Sequence, residues 1–148
     1  MRIPSTLLIL AVLAACGGGA EDAPAVEAED SPMVSISDFA GTWDLSAQLV
    51  GVADPVRLGL SGSPGGSDWV MLFEGRDPVP VQVSMMGDSL ITVSDPYESV
   101  LRDGVMVTTR SAAVMQDGGM VGKVLVTYDT DAGEEQVSGT LTGARGSM

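Results

Sequence analysis

The chain has 148 residues, 20 acidic against 7 basic, a net charge of −13, no histidine and a single cysteine. A protein of that charge has too few basic groups to displace phosphate counterions, so nucleic acid is excluded as a partner. Without histidine, the usual general base, the Ser–His–Asp arrangement and imidazole metal ligands are missing together. One thiol supports neither a disulfide nor a cysteine zinc site, so no enzymatic activity, cofactor or metal is expected.

Residues 1–15 have the form of an export signal. Arg2 is the only charge before Glu21, and Leu7 to Ala15 form an uninterrupted apolar run of nine residues. That length fits a secretory signal and falls short of the roughly 20 residues needed to span a bilayer. The run ends Leu13-Ala14-Ala15-Cys16, which resembles the lipobox of bacterial lipoproteins. The resemblance implies diacylglycerol on Cys16, cleavage of the Ala15–Cys16 bond and acylation of the new amino end, typically with palmitate. Two or three acyl chains anchor a protein stably to a membrane. In Gram-negative lipoproteins a residue other than Asp after the cysteine, here Gly17, goes with the outer membrane, facing the periplasm. The alternative is an ordinary signal peptide with a coincidental cysteine.

From Cys16 to residue 35 the chain reads as a linker. It is flexible at Gly17-Gly18-Gly19, then rich in Ala, Pro and acidic side chains, with too few apolar groups to offset the entropy of ordering. Residues 36–148 form one domain. From Met33 onward there are 15 acidic and 6 basic residues, a balance of about −9 that also opposes docking on anionic lipid.

Within that domain apolar side chains alternate with polar ones at Val56, Leu58 and Leu60, at Val79, Val81 and Val83, and at Val105 and Val107. This is the period of half-buried strands. Gly, Pro and Asp clusters punctuate the runs, as at Gly87-Asp88, Asp117-Gly118-Gly119 and Asp131-Ala132-Gly133. The pattern predicts eight to nine strands at about 41–50, 55–62, 68–74, 79–86, 89–94, 98–102, 104–115, 120–128 and 135–145. No window has a long helical period. Short connections imply sequential antiparallel neighbours, hence a small all-β meander barrel whose closure removes exposed edges. The run at 98–102 also reads as a bulged continuation of the strand after it.

Phe39-Ala40-Gly41-Thr42-Trp43 resembles the F-x-G-x-W opening of lipocalins and related small barrels. The resemblance implies that Trp43 lies across the barrel floor, with an arginine of the last strand, here Arg145, packed over the indole. Gly41, Trp43 and Arg145 are therefore the expected closure. Asp44 stands where the family has an aromatic, and the chain is shorter, without a flanking helix segment or a disulfide. Those departures bear against a deep pocket and toward the smaller exported barrels of bacteria, which include hydrolase inhibitors.

Other clusters point to structure rather than chemistry. The carboxylates from Asp129 to Glu135 have the wrong spacing for a calcium loop and read as a hairpin turn. Glu74 and Asp77 flank a turn, and Ser89 and Ser99 have no base beside them. The segment from Tyr97 to Arg102 is a place to seek a rim contact. The many methionines fit core filling, or an adaptable apolar lining. The leading expectation is a membrane-tethered barrel that binds a small apolar ligand. The alternative is a protein-binding module such as an inhibitor of a basic secreted hydrolase. An interior volume above roughly 300 Å³ separates the first from the second.

Overall fold

The computed structural model describes residues 33–146. Cys16, the signal segment and nearly all of the linker lie outside the described residues.

The chain enters through one helical turn, α1 (Ile36–Phe39), where no helix is foreseen from periodicity. The Asp38 carboxylate accepts hydrogen bonds from the Ser35 backbone N–H at 2.7 Å and from Ser35 Oγ at 2.9 Å, and these hold its pKa below the usual carboxylate range. Nine strands follow: β1 (Gly41–Leu49), β2 (Val56–Gly62), β3 (Val70–Leu72), β4 (Val79–Met86), β5 (Ser89–Ser94), β6 (Tyr97–Glu98), β7 (Met106–Gln116), β8 (Gly119–Thr130) and β9 (Gly133–Arg145).

All pairings are antiparallel, and neighbours run β5-β4-β3-β2-β1-β9-β8-β7. Pairing of β5 with β7, from Leu90↔Ala113 to Val93↔Arg110, closes this row into an eight-stranded barrel. The ninth strand, β6, adds only two residues to the edge of β7. An all-β meander barrel is thus what the alternation specifies. Its interior follows from period-2 placement: Trp43, Leu45, Ala47 and Leu49 of β1 are buried, as are Met120, Val124, Val126 and Tyr128 of β8. Eight strands make an interior just wide enough for side chains to fill or to hold one small guest.

The hairpin from β7 to β8 shows how local chemistry fixes register. Asp117 and Gly118 have φ of 51° and 79°, positive at both central positions as a two-residue type I′ turn requires. The ladder then runs unbroken from Met115↔Met120 to Met106↔Asp129. Turns this tight carry β8 and β9 beyond their expected bounds, whereas β7 ends one residue later than expected but begins only at Met106.

Two expected strands are shorter. Segment 68–74 keeps only Val70–Leu72, because the chain turns at Phe73, whose carbonyl accepts the Arg76 N–H at 3.2 Å. Segment 98–102 is not a strand after Glu98. Ser99 Oγ accepts the N–H groups of Leu101 and Arg102, both at 3.1 Å, and draws the chain off the ladder.

Candidate functional site

The two barrel ends differ. At one end lie α1, the first residues of β1 and the last of β9; at the other lie the β1–β2, β3–β4 and β8–β9 connections and the long segment 95–105.

The first end is closed by aromatic packing. Trp43 is fully buried and its indole N–H donates to the Phe39 carbonyl at 2.7 Å. Trp43 and Arg145 are cross-strand partners in the β1–β9 ladder, and the Arg145 guanidinium lies 4.1 Å from the centre of the indole ring. Its Nη1 donates to the Ala40 carbonyl and its Nη2 to the Asp38 carbonyl at 2.6 Å, tying the last strand to α1. Gly41 has φ of +113°, and a Cβ there would stand 2.9 Å from Arg145 Nη1. The structure therefore brings Gly41, Trp43 and Arg145 into one group. Sequence reading overlooked Trp69, also buried at this end, whose indole N–H donates to the Ser63 carbonyl at 2.9 Å. The scarcity of tryptophan, two in the chain, was the available signal.

The opposite end holds the candidate site. Segment 95–105 crosses the mouth as a strap and is fastened by two arginines. Arg76, from the β3–β4 connection, donates to the carbonyls of Glu98 at 2.8 Å and Ser99 at 3.3 Å. Arg102 forms a two-pronged pair with Glu135, both contacts at 2.8 Å, and lies 4.2 Å from the centre of the Tyr128 ring. Hydrogen bonds from Arg102 hold the Glu135 carboxyl below its ordinary pKa. Within the strap, Glu98 Oε1 accepts the Gly104 N–H at 3.0 Å. The segment from Tyr97 to Arg102, marked as a place for a rim contact, is this strap. The carboxylates from Asp129 to Glu135 occupy the β8–β9 hairpin, where Thr130 Oγ1 donates to the Gly133 carbonyl at 2.6 Å.

Beneath the strap lies a cavity of about 50 Å³, with a groove of about 470 Å³ beside it at the surface. The two share Val56, Phe73, Val100 and Leu101 in their walls. None of the twenty residues around the inner cavity is charged. One side is apolar, with Leu45, Ala47, Leu58, Val124 and Val126. The β5–β7 side carries hydroxyls: Thr92 and Ser111 are hydrogen bonded at 2.7 Å, and Tyr97 OH and Thr109 Oγ1 at 2.9 Å. Burial pushes the Tyr97 phenol above its ordinary pKa, and its ring stacks on Phe73 with centres 5.4 Å apart. Thr109 and Ser111 follow from alternation with Val107, a phase the sequence displays but the polarity of the residues obscures.

Of the methionines, Met71 and Met120 are buried in the core, whereas Met86 and Met106 are 63% and 43% exposed. Ser89 opens β5, and Ser99 is occupied in holding the strap's backbone. Glu74 stands in the wall of the mouth groove. Comparison of the chain with protein-family models, with curated proteins and with solved structures finds no match.

Proposed function

We propose that this protein is an exported lipoprotein, tethered through lipid on Cys16, whose barrel binds a slim apolar ligand at the strapped mouth. The observation that carries the ligand reading is the uncharged, largely apolar cavity that shares a wall with a surface groove. The inner space, about 50 Å³, falls below the roughly 300 Å³ of interior volume that the first reading calls for. The ligand reading therefore relies on the adjoining surface groove, and the filled interior favours the second reading. A guest of this shape places a narrow chain under the strap and the rest of itself in the groove. The resemblances to the lipobox and to the lipocalin opening support the same reading, and the lack of histidine argues for binding rather than catalysis.

The charge of the mouth also favours the second reading, recognition of a basic protein. In and beside the mouth connections stand ten carboxylates against three arginines, a local charge of −7. Leu101 of the strap is 43% exposed among them.

Native mass spectrometry of the protein purified from its own host tests the choice. A retained small apolar mass, lost when Ala47→Leu narrows the cavity, is the expected result. A co-purified protein with no small mass would transfer the function to the rim. The Ala47→Leu substitution overpacks the wall at a cost of about 1–3 kcal/mol, so its folding is checked by circular dichroism.

A further inference from the structure

The interior wall is two-sided, and this asymmetry selects a class of guest. Thr92, Tyr97, Ser99, Thr109 and Ser111 all line the cavity from the β5, strap and β7 side. The Thr92–Ser111 and Tyr97–Thr109 pairs each contain two hydroxyl hydrogens but only one bond between their oxygens. Each pair therefore has hydrogen-bonding capacity beyond that one bond, although no buried side-chain polar atom among the described residues is without a partner. A purely hydrocarbon guest would leave that spare capacity unused, whereas a hydroxyl on the guest could use it. A carboxylate or an ammonium placed against these hydroxyls would meet a wall with no charged residue to receive it, which is costly. A charged head is therefore left to the groove and forgoes the hydroxyl contacts.

We infer that the cavity is specific for a neutral chain carrying an oxygen that both accepts and donates hydrogen bonds, such as an alcohol, and disfavours charged amphiphiles of equal length. This rests on the ligand-binding reading above and names its chemistry. The oxygen is placed against the β5–β7 hydroxyls, while the chain lies along Leu45, Ala47, Leu58, Val124 and Val126 of β1, β2 and β8, a side on which Tyr128 of β8 carries the one hydroxyl. The space under the strap suits a short chain, and the groove accepts what extends beyond it.

The test is a titration of the full chain, followed through its methyl NMR signals, with hexane, 1-hexanol, hexanoate and hexylammonium. Replacing both partners of a pair avoids leaving one orphaned, so Thr92→Val with Ser111→Ala is the first variant. Tyr97→Phe with Thr109→Val is the second, should the first fail to fold. The expected result is that 1-hexanol binds at least about tenfold more tightly than hexanoate or hexylammonium. Either variant should weaken 1-hexanol about tenfold while hexane binds no more weakly than before. If both uncharged probes bind and the variants affect them equally or not at all, the hydroxyl wall has no role and this inference falls while ligand binding stands. Equal binding of hexanoate or hexylammonium would overturn it as well. If no probe shifts the signals of cavity residues up to its solubility limit, the ligand-binding reading itself falls, and this inference with it.

Discussion

Arg145 and Trp43 meet across the seam where the last strand joins the first, so one contact serves both packing and closure. A guanidinium over an indole contributes about 0.5–2 kcal/mol, and Arg145 adds two hydrogen bonds to backbone carbonyls of α1 and its C-cap. Truncating Trp43 to Ala should cost about 3–5 kcal/mol, as for any buried large aromatic. The more informative change is Arg145→Ala, expected to cost about 1–2 kcal/mol, where an unattached surface charge would cost less than about 0.5. In a double-mutant cycle with Trp43→Phe, read by urea denaturation, the two losses should fail to add. Coupling indistinguishable from zero would show that Arg145 acts on the α1 carbonyls alone.

The strap is the element whose order depends most on exposed electrostatics. Its turn is held by Ser99, but its position over the mouth relies on Arg76 and on Arg102 with Glu135. Both members of that pair are substantially exposed, at 40% and 50%, so water and salt screen them. The sign of the pH effect follows from Glu135, whose folded pKa lies below its ordinary value. Its contribution is complete above the usual carboxylate pKa of about 4.3 and is lost as pH falls through the lower folded value. Hydrogen exchange should therefore show the amides of Leu101, Arg102 and Val105 losing protection below about pH 4, while the β7–β8 ladder keeps its own. In Glu135→Gln the strap should exchange faster already at neutral pH and lose this part of its pH dependence. An unchanged strap in that variant would mean that Arg76 and the internal hydrogen bonds suffice.

At the scale of the whole molecule, the barrel is closed at the Trp43 end and guarded at the other. Among the described residues, α1 lies at the closed end and ten of the fifteen carboxylates gather at the mouth. An acidic rim of this kind repels anionic surfaces and attracts basic partners. The proposal of anchoring is tested at Cys16. Metabolic labelling with palmitate should mark the wild-type protein and leave Cys16→Ser unlabelled, with the precursor retained. Equal labelling of the two would remove the lipoprotein reading and leave the barrel and its cavity as they are.

Strand number and the identity of most inward-facing residues were legible in the sequence because alternation is a local property of the chain: once Val81, Leu60 or Val107 faces inward, its neighbours two positions away must follow. The same holds for the two-residue turn at Asp117-Gly118, whose backbone demands are met by the residues themselves. Local pattern was a poor guide where side chains compete with the ladder. Ser99 ends a strand by taking two backbone N–H groups, and Phe73 starts a turn where apolar residues alone suggest that the strand continues. What only the tertiary structure decided are the contacts between residues far apart in the chain. These are the pairing of β5 with β7 that leaves β6 outside the barrel, the clamp of Arg102 on Tyr128 and Glu135, and the gathering of five of the six hydroxyl-bearing residues on one side of the cavity. No window of sequence contains both partners of such a contact. Which hydroxyl faces which is set by the register of a closed sheet, and register belongs to the barrel as a whole.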